Sequence, residues 1–277
     1  MKTKSNAEVL FDHNGRRIPY SGMRVFNQVS LNYYKIKQPV IDFEKILLNS
    51  QKHASVDSHI SAKSFSDACI GLRDSLKGNK SLSNLFKGVH VPFICAKAPI
   101  REGDIGSELV ENSLPSVASS FKAAYPDLHC KAVLQGNTKL SGALSVQSDS
   151  RYEQLINAHQ DKTIVGWYFP QALQEYDVAS QSEQMKTLPP YDGLVLSGSI
   201  EVSAAIVGSP GLLVNKEDYP PVLCLSSLKH DDDRMILCYK AYGLHLEFWG
   251  MSQMLTPGVT QVSEQWTGGL TLFTVID

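Results

Sequence analysis

The chain has 277 residues, 43% apolar and 19% charged, enough to bury a substantial core as one large domain or two small ones. Its formal net charge of -2 supplies no broad basic field, so neither nucleic acid nor an anionic membrane surface is indicated as a partner. No apolar core follows the opening MKTKSNAEVLFDHNGRRIPY, and no apolar run approaches the roughly 20 residues that a membrane helix needs. A soluble, cytoplasmic protein is expected, although export without a cleaved signal would leave no mark.

The first half reads as helix-rich. Met23 to Lys37 spaces Val25, Phe26, Val29, Leu31 and Tyr34 in a loose helical pattern, and Ile41 to Leu48 follows Pro39 as a short second helix. Ser64 to Leu76 sets Phe65, Ala68, Cys69 and Leu72 on one stripe and stops before Gly78, and Ser81 to Phe86 adds a further turn. Val89 to Ala96 reads as a strand, with Pro92 pointing to a sheet edge or a bulge. Glu108 to Tyr125 reads as a helix bent at Pro115. His129 to Gln135 alternates like a strand, Tyr152 to His159 forms a short helix, and Thr163 to Phe169 is a strand stopped by Pro170. Ala172 to Lys186 is polar and helix-permissive, with few apolar anchors, and is expected at the surface.

Turn signals become frequent from Leu188 onward, at Pro189-Pro190, Asp192-Gly193, Pro220-Pro221, Pro257-Gly258 and Gly268-Gly269. Short β-prone runs lie between them: Leu194 to Leu196, Val202 to Val207, Val222 to Leu225, Met235 to Tyr239, Leu244 to Trp249 and Leu270 to Ile276. The fold class is therefore α+β, a helix-rich N-terminal part packed on a mostly antiparallel C-terminal β-sheet. Residues 1–187 form the helix-rich α/β part and 188–277 the β-rich part, packed as one compact unit.

Five cysteines, Cys69, Cys95, Cys130, Cys224 and Cys238, are widely spaced without a C-x-x-C pair, so free and mostly buried thiols are expected. The densest collection of reactive side chains lies between Val222 and Gly250, VLCLSSLKHDDDRMILCYKAYGLHLEFWG. Read as three consecutive strands, it places Leu228 opposite Arg234 and Cys224 opposite Cys238. A second hairpin closed by Tyr242-Gly243 sets Ala241 opposite Leu244, Lys240 opposite His245 and Cys238 opposite Glu247. One face then carries Cys224, Ser226, Arg234, Cys238, Lys240, His245, Glu247 and Trp249, and the other is a core face of Leu223, Leu225, Met235, Leu237, Tyr239, Leu246 and Phe248. Directly opposed residues have Cβ atoms roughly 5 Å apart.

Three chemistries compete for that patch. Cys224 or Cys238 could act as a thiolate nucleophile with His245 as base and Glu247 to orient it, the thiol acidity raised by Lys240 and Arg234. The same Cys224, Cys238, His245 and Glu247 could ligate zinc, although a flat strand face wraps a tetrahedral ion poorly. In the plainest reading the thiols pack as small hydrophobes while His245 and Glu247 pair with Lys240 and Arg234 at the margin. Trp249 could then floor a ligand pocket.

YDGLVLSGS at Tyr191 to Ser199, followed by PVLCLSSLKH, superficially resembles glutamine amidotransferases, which set a cysteine on a sharp turn and complete a triad with His-x-Glu. Here Leu225 and Ser226 follow Cys224 where the turn needs glycine, and His245-x-Glu247 comes too soon, so the likeness carries no assignment. Phosphate-binding glycine loops, H-E-x-x-H and G-x-S-x-G are all missing from the sequence. Cys95 with His159 forms another long-range pair, in the order of residues that bacterial deamidases and papain-like toxins use. The expected function is binding of a protein partner or a small ligand, with no cofactor and no metal. The alternative is a cysteine-dependent hydrolase, deamidase or transferase with a Cys-His-Glu site.

Overall fold

The computed structural model describes residues 8–20, 25, 34–136, 138–252, 254–256, 259–260 and 263–277. The helix expected over Met23–Lys37 lies mostly outside them. Helix α1 (Phe43–His53) starts where the Asp42 carboxylate accepts the Lys45 N–H, and α2 (Ala62–Lys77) where the Ser61 hydroxyl accepts that of Ser64. Strand β1 (Val91–Cys95) follows, then α3 (Ile105–Glu108), a π turn (Leu109–Ser113) and α4 (Leu114–Ala124). Next come β2 (Cys130–Leu134), β3 (Leu144–Val146), α5 (Glu153–His159) and β4 (Thr163–Gln174). Helices α6 (Val178–Ser182) and α7 (Gln184–Thr187), strand β5 (Leu194–Leu196) and helix α8 (Ser199–Gly208) complete the central stretch. The remaining strands are β6 (Val222–Cys224), β7 (Leu228–His230), β8 (Met235–Tyr242), β9 (His245–Ser252), β10 (Met254–Thr256), β11 (Val259–Thr260) and β12 (Trp266–Ile276).

The main sheet runs β1-β4-β12-β6-β8-β9-β2, with β5 also paired to β12. Its ladders are antiparallel apart from β12 with β6 and β9 with β2, so the α+β architecture expected from the sequence holds. Strands from both sides of residue 188 interleave: β4 lies between β1 and β12, and β2 lies beside β9. Pro92 sits on edge strand β1, the kind of strand to which proline is ordinarily confined. Among the described residues, no helix is long and apolar enough to cross a membrane.

Alternation along the strands feeds two large cores. Val91, Phe93, Cys95, Ile164 and Tyr168 face one, under α4, α5 and α8. Ile94, Val165, Trp167 and Phe169 face the other, with Phe65, Cys69 and Leu76 of α2. Phe86 lies edge-on to both Trp167 and Phe169, with ring centroids 5.4 and 5.0 Å away.

Four local expectations fail, each for a physical reason. β4 does not stop at Pro170 but continues to Gln174, because the ladder to β12 shifts register between Gly268 and Leu270 and places the proline at a bulge. The Pro170 carbonyl still accepts the Thr267 hydroxyl at 2.8 Å. Val202 to Val207 is helix rather than strand, as all ten residues of α8 are buried and no polar face marks its period. The polar stretch Ala172 to Lys186 is largely interior. Gln181 donates to the Tyr176 carbonyl at 2.7 Å and accepts the Ser226 hydroxyl at 2.5 Å, so its amide needs no solvent. The hairpin between β8 and β9 turns through Gly243-Leu244, with Gly243 at φ 59° and Tyr242 opposite His245.

Burying α8 whole requires its first amides to be paired inside the protein. The Glu201 carboxylate accepts the Gly198 N–H at 2.7 Å and the Tyr152 hydroxyl at 2.8 Å, while the Tyr152 oxygen accepts the Ile200 N–H at 3.1 Å. Gly198 is required there, since a Cβ would lie 2.3 Å from both the Ser227 Oγ and the Tyr152 ring. Replacing Tyr152 by Phe strands an amide and a carboxylate oxygen in a dry core and is expected to cost about 1–3 kcal/mol. Urea denaturation checks this through a lowered midpoint at constant slope. An unchanged midpoint would mean that the hydroxyl carries none of the helix entry.

Candidate functional site

The C-terminal end of β1 opens into a pocket of about 180 Å³ between β1, the α3–α4 unit, α5 and α8. Its polar wall is Cys95, Glu108, Asn112, Ser113, Ser116 and His159, and its apolar wall includes Ile94, Ile200, Ala204 and Val207. The pocket shares Ser55, Ala96 and Lys97 with a second, outer cleft of about 800 Å³. Ser55 at this junction holds φ 54°, a conformation uncommon for a residue with a side chain.

Each polar group arrives by a distinct local device. Strand alternation points Cys95 to the α8 side of the sheet. Asp104 caps α3 by accepting the Gly106 and Ser107 N–H groups at 3.0 Å, and Gly106 fits because a Cβ would lie 1.9 Å from the Leu140 carbonyl. The π turn then brings Ser113, five residues on, back over Glu108, and its hydroxyl lies 2.9 and 3.1 Å from the two carboxyl oxygens. Pro115 sits just past this turn, so the bend expected in Glu108–Tyr125 is realised as a π turn. His159 is the last residue of α5, held in place as its carbonyl accepts the Ala98 N–H at 2.8 Å.

The electrostatics of this pocket are those of neutral groups. Burial pushes the Glu108 carboxyl up to about 7, against the Ser113 hydrogen bond, with the Glu201 charge adding to the rise. Burial alone holds the His159 imidazole down at about 4. The Cys95 thiol is raised well above its ordinary value, first by burial and then by Glu201 and Glu108. His159 is only 4% exposed, and neither ring nitrogen has a hydrogen-bond partner. An unpaired buried polar group costs roughly 1–3 kcal/mol, so this imidazole is an unfilled valence in the pocket wall.

The patch expected from the sequence is arranged differently. Cys224 does oppose Cys238, and the two faces of β8 and β9 carry the expected residues. The register, however, is displaced by two positions: Lys240 opposes Glu247, Cys238 opposes Trp249 and Tyr242 opposes His245. A shift of two preserves the face because the side-chain period of a strand is two. Cys224 and Cys238 are buried with Val222, Ile236 and Trp266, and burial pushes the Cys224 thiol up to about 12 and raises that of Cys238. His245 stacks on His129 with ring centroids 3.8 Å apart and accepts the His129 backbone N–H. Glu247 lies 3.5 Å from both His129 and Lys131 and accepts the Trp249 indole N–H at 2.7 Å. Lys240 lies 4.0 Å over the Trp249 ring. Arg234 does not join them, because β7 pairs with β3 and Arg234 grips Asp232 at 2.7 Å. Among the described residues, no group of three or more His, Cys, Asp or Glu side chains is placed to hold a metal ion.

Sequence reasoning paired Cys95 with His159 by order alone, and both line this pocket. It missed Glu108, whose one sequence signal is the helix-bending Pro115 downstream. Comparisons with protein-family models, with curated proteins and with solved structures gave no match.

Glu108 and His159 make opposite contributions to the pH dependence of stability. The folded chain keeps the Glu108 proton that the unfolded chain releases above 4.5, so this group lowers stability as pH rises from about 4.5 to 7. The unfolded chain protonates His159 below 6.5 and the folded chain only near 4, so this group lowers stability as pH falls through that interval. Between pH 4.5 and 6.5 the two offset one another. Glu201, raised to about 6 by burial, acts with Glu108 in every variant. His159→Gln is therefore expected to lose stability with rising pH more steeply than the parent chain, and Glu108→Gln less steeply. Urea midpoints measured across pH 4.5–7 test this, and parallel curves for all three chains would contradict it.

Proposed function

We propose that the protein is a soluble, cytoplasmic small-ligand binder whose site is the pocket of Cys95, Glu108 and His159. The observation that carries this reading is the buried His159 with both ring nitrogens unpartnered, facing a pocket with one polar and one apolar wall. Binding sites combine apolar walls with a few convergent polar groups, which is the composition found here. The cytoplasmic placement draws on the five cysteines, all of them free thiols. A screen of small polar compounds by ligand-detected NMR tests the reading, with Ser116→Leu as a plug on the half-buried side of the pocket. Compounds that bind the parent chain and fail to bind the plugged but folded variant are expected. Binding that survives the plug, or no binding at all, would count against this site.

A second reading, cysteine-dependent acyl transfer, is favoured by the presence of Cys95 and His159 in one pocket. Electrostatics weigh against it. The thiol is held above its ordinary 9.0 while the imidazole titrates near 4. Transferring the proton from the thiol to the imidazole to form an ion pair is therefore disfavoured. Burial raises the other four thiols as well, from about 11 for Cys130 upward. All five are therefore expected to alkylate slowly at neutral pH until the chain is denatured. Peptide mapping after brief iodoacetamide treatment checks this, and fast selective modification of Cys95 would restore the enzyme reading.

A further inference from the structure

The pocket contains a buried carboxyl group without a cation. Glu108 is only 8% exposed, and among the described residues the Ser113 hydroxyl is its sole hydrogen-bond donor, with no Lys or Arg paired to it. A second buried carboxyl, Glu201, stands near enough to raise it further, and that group is already occupied by Tyr152 and the Gly198 N–H. Lys97 is the one cationic side chain on the pocket wall, and it is exposed at the mouth shared with the outer cleft. Buried carboxyls in proteins are ordinarily paired with a positive group.

Each remaining polar group offers an acceptor beside its donors. A neutral imidazole offers one acceptor nitrogen, and the Asn112 carbonyl and Ser116 hydroxyl offer oxygens. Opposite them stand Ile200, Ala204 and Val207 of α8. A ligand that completes this site carries a positive charge and several N–H donors at one end and a short apolar body at the other.

We infer that the pocket binds a small alkylammonium ion, with the Glu108 carboxylate as its counter-ion and the His159 ring nitrogen as a second acceptor; this rests on the reading of the pocket as a ligand site. An ammonium supplies three donors to the three kinds of acceptor present. An anion would meet two buried carboxyls, and a neutral alcohol would leave Glu108 in its protonated form. A dry cavity of about 150 Å³ accepts benzene, so a pocket of 180 Å³ takes a ligand of about six or seven heavy atoms. A larger polar substituent would extend past Ser55 and Lys97 into the outer cleft. Because the carboxyl holds its proton up to about pH 7, ammonium binding near pH 6 releases it to solvent.

The test uses the full chain and three isosteric probes: n-butylamine, n-butanol and butyrate, followed by calorimetry at several pH values. Butylammonium is expected to bind at least tenfold more tightly than butanol, with butyrate weaker still. Its affinity should rise between pH 5.5 and 8, and in buffers of differing ionisation heat it should release close to one proton at pH 6. Glu108→Gln keeps the shape and still accepts from Ser113, and it should remove the preference for the amine over butanol. Should that variant fail to fold, the pH dependence and proton release on the parent chain decide alone. Equal or tighter binding of butanol or butyrate, abolished by Ser116→Leu, would overturn the ammonium inference and leave the ligand site standing. No binding of any probe at tens of millimolar overturns the inference, while the compound screen judges the site separately. Amine binding that does not change with pH would likewise overturn it.

Discussion

The protein is organised around one helix that has no surface. All ten residues of α8 are buried, so its first turn cannot be hydrated and must be satisfied from within. Glu201 and Tyr152 do so for the Gly198 and Ile200 amides, reaching respectively back along the helix and across from the start of α5. The Thr271 hydroxyl adds a donor 3.2 Å away from central strand β12, and Ser197 bonds Thr271 in turn at 2.7 Å. Helix, sheet and α5 are thus joined by one polar network inside an apolar core. A network of this kind stabilises only when every member is paired, which is why Gly198 leaves no room for a side chain. Its carboxylate also sets the charge environment of the nearby pocket, since Glu201 pushes both Glu108 and Cys95 toward their neutral forms.

That environment separates two kinds of cysteine-containing pocket. Thiolate chemistry needs a positive neighbour to stabilise the sulfur anion. Here the neighbours are carboxyls and an imidazole that burial keeps uncharged. Burial disfavours an isolated charge of either sign, so a cation would need a carboxylate to pair with, and Glu108 is the one on the pocket wall. The patch on β8 and β9 differs again. Its charged groups already satisfy one another, Glu247 with His129, Lys131 and Trp249, and Lys240 with the Trp249 ring.

Much of the fold could be read from periodicity. The stripe of α2, the edge placement of Pro92 and the two faces of β8 and β9 follow from spacing, whereas the turn that joins β8 to β9 does not. Periodicity fails where an element has only one environment. α8 is buried all round, so Val202 to Val207 carries no alternation to distinguish helix from strand. Polarity misleads at Gln181 and Gln184, which are buried: the Gln181 amide bonds Tyr176 and Ser226, and Gln184 donates to the Ser180 carbonyl. The pocket was legible only in part, because the property that marks it is a missing partner. Cys95 and His159 could be named from the sequence, but the vacancy on the imidazole and the unpaired Glu108 appear only when their neighbours are in place.

The π turn between α3 and α4 has a consequence for how such a pocket can change. A π turn amounts to one residue beyond the regular winding of an α-helix, and each residue of a regular helix turns the chain by about 100°. Loss of a single residue between Leu109 and Ser113 would restore continuous winding and swing Glu108 to another side of the helix. The sheet, α5 and α8 would keep their places, so the pocket would retain its walls and lose its acid.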